Sequence, residues 1–290
     1  MDTDVNQLKR SLARAIVWIL LLLAVATGST YAWFSVTGIN STNVTPMAGT
    51  VSKGNSSLLI SNSESGPFDK TCELVLSGNP ESLKPLSTEN LESFFKAVAQ
   101  NRKGIATLYT NATSSADQDA IHGTIYLQCK NAPCKVYFNR EDLKLGDDAQ
   151  ALAAMRLGMK ITSHEGTGTF IWKLDDLGNT GSAETTRTIT QDSAVVSAVS
   201  DSGQPVYVTD PSLGISEYMA ETGDTEGTYK EGSQPLMQLN EDEVATVEYW
   251  LYLEGCDEQC INAVQSRASE IQLGFAGVDA EESGKGETTT

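Results

Sequence analysis

The chain has 290 residues, 40% of them hydrophobic, and a formal net charge of −18. That apolar content is enough for a folded core of one or two domains and excludes wholesale disorder. So acidic a body repels phosphate backbones and anionic headgroups, and no segment supplies a basic patch, which sets nucleic acid aside as a partner.

Lys9, Arg10 and Arg14 make the short N-terminus slightly basic, and an unbroken apolar run follows from Ala15 to Ala26. Thr27, Gly28, Ser29 and Thr30 are uncharged, and Tyr31-Ala32-Trp33-Phe34 restores the apolar character. Residues 15–34 therefore read either as a signal peptide or as a transmembrane helix of roughly 20 residues. Both readings leave 1–14 in the cytoplasm and export the rest. Thr30 and Ala32 stand at minus three and minus one of a cleavage site between Ala32 and Trp33; retention as an anchor is the alternative.

Residues 35–50 read as a linker or donor-strand segment, and 51–280 read as short extended runs between clusters of Gly, Ser, Asn and Asp, the pattern of an all-β, antiparallel β-sandwich. The expected strands are 57–61, 105–110, 123–129, 134–139, 155–162, 169–174, 206–209, 244–253 and 271–276. In the last of these, Ile271, Leu273 and Phe275 share one face and small or polar residues the other, as a strand resting on a core requires. Leu91, Phe94, Phe95 and Val98 recur at helical spacing after Ser87 and Thr88, which predicts a helix over 90–100. Short helical turns are expected at 147–154 and 258–264. Residues 175–243 are rich in Ser, Thr, Gly and acids and read as an acidic insertion or a mobile excursion; 281–290 read as a disordered tail.

The five cysteines fit an exported chain. Cys129 with Cys134 and Cys256 with Cys260 are natural local disulfides, and Cys72 is left over. A zinc site on the same four thiols lacks the CxxC spacing of zinc ribbons. With only His122 and His164, no HExxH, no GxSxG elbow, no GxGxxG and no P-loop, nothing supports an enzyme, and no catalytic, cofactor or metal residue is assigned. His122 and His164 read as ordinary strand-edge and turn residues. Calcium is the one cation the acidic loops admit, through Asp175, Asp176 and Asn179 or Asp224 and Glu226, although a solvated acidic loop explains the same residues. Asn40, Asn43, Asn55 and Asn111 open N-glycosylation acceptor patterns.

Gly28-Ser29-Thr30-Tyr31-Ala32-Trp33-Phe34-Ser35, with Ala48-Gly49-Thr50-Val51 further on, resembles the export region of the TasA/camelysin family of Gram-positive surface and biofilm-matrix proteins. The chain departs from that pattern at Val36, where an acid is usual, and at Met47. Two further blocks look like uncharacterised clostridial-type members: Leu83-Lys84-Pro85-Leu86-Ser87-Thr88 with Phe94-Phe95-Lys96-Ala97, and Trp250 to Cys260, where Glu254, Gly255, Asp257 and Cys260 fall in register with a W-L-E-G-x-D-x-x-C motif. The resemblance implies a jelly-roll-like sandwich at the cell surface or in a secreted matrix. Its subunits would self-associate into fibres by lending an N-terminal strand to the next copy. The donor would be residues 33–45, with Trp33, Phe34, Val36, Ile39 and Val44 as apolar anchors; pairing within its own sheet, or a stalk, is the alternative. A monomeric, membrane-anchored binding module using the acidic insertion is the rival function. Camelysin-like members have been described as metallopeptidases, but no motif here carries that activity over.

Overall fold

The computed structural model describes residues 47–52, 57–77, 83–100, 106–143, 149–174, 194–223, 229–257, 260 and 272–280. In chain order these form β1 (Met47–Ser52), β2 (Ser57–Ser61), β3 (Thr71–Cys72), β4 (Pro85–Ser87), β5 (Phe95–Gln100), β6 (Ala106–Asn111), β7 (Ile121–Lys130), β8 (Cys134–Phe138) and β9 (Met155–Ser163). Then follow β10 (Gly166–Lys173), β11 (Val195–Val199), β12 (Pro205–Val208), β13 (Leu213–Gly214), β14 (Glu221–Thr222), β15 (Tyr229–Lys230), β16 (Met237–Leu239), β17 (Val244–Glu254) and β18 (Phe275–Asp279). Short helices at Ala116–Asp119 and Ala149–Ala154 complete an all-β body.

Two sheets face each other. The larger is organised around β17, which pairs antiparallel with β7 on one side and β9 on the other. Beyond β7 lies β2, and beyond β9 come β10 and β13. Past the end of β7, the last residues of β17 pair with β4, from which β5 and β6 continue. The smaller sheet has the order β16-β8-β18-β1-β3. Its Val136, Phe138 and Phe275 share one core with Ile125, Leu127, Leu157, Trp172 and Val247 of the larger. The expectation of a wholly antiparallel sandwich needs correction: β1 with β18, β10 with β13 and β17 with β4 are parallel.

The sequence of β17 shows why it is central. Its first half alternates between buried and half-buried residues, whereas Tyr249 to Glu254 are buried throughout. Tyr249, Leu251 and Leu253 enter the inter-sheet core; Trp250 and Tyr252 point the other way, into a second core with Leu86, Leu91, Phe94 and Ile171. A strand covered on both faces reads as a continuous apolar run. Cross-strand pairs lock it in register: His122 opposes Trp250 and stacks on it at 4.3 Å, and Tyr249 covers Gly123, where an added Cβ would lie 2.3 Å from the phenol oxygen. His122, the second residue of β7, is thus half-buried against Trp250.

Chain passage between the sheets is clamped at the corner from β7 to β8. Cys129 and Cys134 form the expected disulfide there, and Asn131 takes a left-handed conformation (φ 71°) in the turn. Closing so short a loop is worth about 2 kcal/mol in the chain-entropy account. Near this corner the sheets approach closely: an added Cβ at Gly277 of β18 would lie 2.9 Å from the Cβ of Leu58 on β2.

Three other expectations change. Residues 90–100 are not a helix. Thr88 Oγ1 accepts from the N–H groups of Asn90 and Leu91, and Asn90 Oδ1 from those of Glu92 and Ser93. Side chains thus take the donors that a helix would use, Leu91 turns left-handed (φ 58°), and β5 follows with Phe95 and Ala97 buried and Val98 exposed. The last strand runs over Phe275–Asp279 and not 271–276. Finally, the described part of 175–243 is no excursion: Ile215, Tyr218, Met219, Leu236, Met237 and Leu239 belong to the main core. The leader with Ala32 and Trp33, the residues Phe34, Val36, Ile39 and Val44, the acids Asp175, Asp176, Asn179, Asp224 and Glu226, nearly all of 258–264, and the tail lie outside the described residues.

Gly277→Val is expected to lower unfolding stability by about 1–3 kcal/mol, through overpacking against Leu58 where the sheets come close. Urea denaturation checks this, and an unchanged midpoint would contradict the close approach.

Candidate functional site

The two blocks that carry the clostridial-type resemblance meet in space. At the end of β17, Leu253 pairs with Pro85 and Glu254 with Leu86, and the N–H of Gly255 donates to Leu86 O at 2.7 Å. Around this junction lies a buried polar cluster. Its centre is Arg156, at the start of β9 and fully buried. Its Nε donates to Ser212 Oγ, Nη1 to the carbonyls of Ala153 and Met155, and Nη2 to Asp210 and Asp257, both at 3.1 Å. All five guanidinium donors are therefore used. Burial would pull its pKa down, but Asp257, Glu254 and Asp210 outweigh that and raise it. Asp210 is likewise pushed up by burial yet ends lower than usual, because Arg156 and Ser212 favour its anion.

Glu254 differs. It accepts the Cys256 N–H at 3.0 Å through Oε1, while its buried Oε2 has no hydrogen-bond partner among the described residues. Burial, only partly opposed by Arg156, pushes its carboxyl up to about 8. Beside it, Tyr109 donates to Gly255 O at 2.9 Å, and its hydroxyl lies 3.4 Å from Cys256 Sγ. Ser87 Oγ lies 3.7 Å from the same sulfur and accepts the Val196 N–H, which ties β11 to the junction. The predicted Cys256–Cys260 disulfide is absent: both are thiols, Cys256 turned toward Tyr109 and Ser87, and Cys260 buried with its N–H on Asp257 O. Burial raises the pKa of Cys260 and pushes Cys256 up to about 12, the opposite direction to the lowering that activates a thiol. Cys72, also a thiol, is half-buried and pushed up to about 11 by burial.

The cluster's arginine has all its donors bonded, and the cluster fastens β9, the 210–212 turn and the turn after β17. Sequence reading found Glu254, Gly255, Asp257 and Cys260 through the motif but missed Arg156 and Asp210. A lone arginine between Met155 and Leu157 in a predicted strand was the available signal. His164 lies in the β9–β10 turn, as expected, with Nδ1 2.6 Å from Glu243 Oε2. Asn111 is exposed at the end of β6. No His, Cys, Asp or Glu group among the described residues could hold a metal ion, and no helix among them is long and apolar enough to cross a membrane.

What remains open is sheet edge. β3 pairs with β1 only at Met47 and Ala48, so Gly49–Ser52 have β18 on one side and no strand on the other among the described residues. No family model, curated protein or solved structure matches the chain.

Arg156→Met strands two buried carboxylates and is expected to cost about 3–5 kcal/mol, measured by urea unfolding; Arg156→Lys, lacking the fork, recovers only a minor part. The carboxyl of Glu254 keeps its proton in the fold up to about 8, whereas in the unfolded chain it ionises from about 4.5, so stability falls as pH rises between these values. Asp210 acts oppositely, its contribution being lost on acidification through its lowered pKa. Stability should peak under mildly acidic conditions, and Glu254→Gln should flatten the decline on the alkaline side. Equal pH slopes for the two proteins would refute the role given to Glu254.

Proposed function

We propose that this chain is an exported cell-surface structural protein, a fibre or matrix subunit that assembles through β-strand complementation. The observation that carries the reading is the incomplete edge of β1, whose last four residues lack a second neighbour among the described residues. Unpaired N–H and C=O groups along such an edge template an incoming extended segment, which gains a full ladder of hydrogen bonds. The candidate donor, 33–45, ends just before Pro46 and β1, and it is uncharged within a chain of net charge −18, so it can approach a second copy without electrostatic penalty. The Cys129–Cys134 disulfide supports an oxidising compartment. The export-region resemblance supports a jelly-roll-like sandwich behind an N-terminal signal or transmembrane helix, at the outer face of the membrane, the cell surface or a secreted matrix.

Protein beginning at Trp33 is expected to elongate into filaments by negative-stain electron microscopy at high concentration, and deletion of 33–45 to leave soluble monomer. If both forms stay monomeric, the fibre reading falls and the monomeric binding module replaces it.

A further inference from the structure

Arg156 grips the chain on both sides of a single proline. Its Nη2 donates to Asp210 Oδ2 at 3.1 Å and its Nε to Ser212 Oγ at 3.1 Å, with Pro211 between them. The chain holds eight prolines, and Pro211 is the only one that follows an aspartate. The Asp210 side chain is 1% exposed, and both of its oxygens are engaged: Oδ1 accepts the Ser212 N–H at 2.8 Å, and Oδ2 faces Arg156 and, at 3.6 Å, Lys173 Nζ. Among the described residues, the ionisable groups around Asp210 are thus Arg156 on β9, Lys173 on β10, Tyr252 and Glu254 on β17, and Asp257 in the turn after it.

An Asp–Pro bond carries its own reagent for hydrolysis. The side-chain carboxyl can close a small ring onto its own main-chain carbonyl, and the proline nitrogen, a tertiary amide without N–H, takes up a proton more readily than a secondary one. In acid the carboxyl oxygen attacks the Asp210 carbonyl carbon, the carboxyl proton passes to the Pro211 nitrogen, and the C–N bond breaks. The cyclic anhydride left on Asp210 then takes up a water molecule and opens to an α-carboxyl and a side-chain carboxyl. The net reaction is hydrolysis and needs no oxidant or cofactor. It does need a proton on the carboxyl and an oxygen free to turn, and the cluster withholds both. Burial pushes the Asp210 carboxyl up, but Arg156, Ser212 and Lys173 outweigh that and hold it below its ordinary value. The bonds to Oδ1 and Oδ2 fix its orientation, and the grip on Ser212 resists separation of the two ends.

We propose that Asp210–Pro211 is a self-cleavage site that the Arg156 clamp keeps closed in the folded body and that acid opens. The cut yields 1–210 and 211–290. β17 lies on the second fragment and its neighbours β7 and β9 on the first, so the halves stay paired while the body is folded but cannot regain a continuous chain once it unfolds. Acid strong enough to break the clamp thereby makes unfolding irreversible. The site shares no residue with the β1 edge, so failure of either proposal leaves the other standing.

The test incubates the full chain at about pH 4, where carboxylates titrate, and follows the two fragments by intact-mass spectrometry. Wild type unfolded in urea at the same pH supplies the unclamped rate. Folded wild type should cut at least about tenfold more slowly than this reference. Arg156→Met should cut about tenfold faster than wild type brought to the same folded fraction with urea. Ser212→Ala, which keeps the ion pair and loses one bond of the clamp, should cut about fivefold faster than folded wild type, and it decides the matter where Arg156→Met does not fold at this pH. Asp210→Asn should stay whole between 210 and 211. Equal rates in folded and unfolded wild type, a folded Arg156→Met no faster than its matched wild type, Ser212→Ala as slow as wild type, or cleavage of Asp210→Asn at the same bond and rate would each overturn the proposal.

Discussion

A guanidinium withdrawn from water is the constraint from which much of this structure follows. Burying a cation costs several kcal/mol unless its donors are satisfied and its charge is countered. Arg156 meets both conditions only if three separate segments come to it: its own entry into β9, the 210–212 turn and the turn after β17. The ion pairs contribute little net stability against an apolar alternative, but their geometry admits few substitutes. That explains why a segment rich in Ser, Thr and acids, with few long apolar runs, nevertheless packs into the body: Asp210 is held at Arg156, and Ile215, Tyr218 and Met219 follow it into the core.

β17 carries the second consequence. Its far end, covered on both faces, can pair with β4 only because β7 has already ended, and the vacated side is filled by β4, β5 and β6. The polar cluster sits where these systems meet and ties β9, the 210–212 turn and the turn after β17 to one another. At the sheet margins, parts of β1 and β10 lack a second neighbouring strand among the described residues.

Much of the strand pattern was legible from residue alternation and turn chemistry; Ser57–Ser61 agrees to the residue, and β7, β9 and β17 to within two. The Cys129–Cys134 pair was legible from proximity. What misled was local: Leu91, Phe94 and Phe95 lie at helical spacing, yet helical spacing over one turn is also met by a bend followed by a strand, and Thr88 and Asn90 bind backbone donors equally well in either. Cys256 and Cys260 are closer in sequence than the bonded pair, but the Cys256 sulfur lies toward Tyr109 and Ser87. The parallel pairings and the Arg156 contacts are long-range, and no local pattern announces them.

The parallel pairing of the first described strand with the last has a mechanical consequence. In β1 and β18, Gly49 lies beside Phe275 and Ser52 beside Val278, so the chain enters one strand and leaves the other at opposite ends of the same ribbon. Tension drawn between the segment before Met47 and the one after Asp279 acts along the ribbon and loads its hydrogen bonds together, in shear, where a hairpin closure would open them one at a time. A body strung in series with others would thus resist stretching at its own seam.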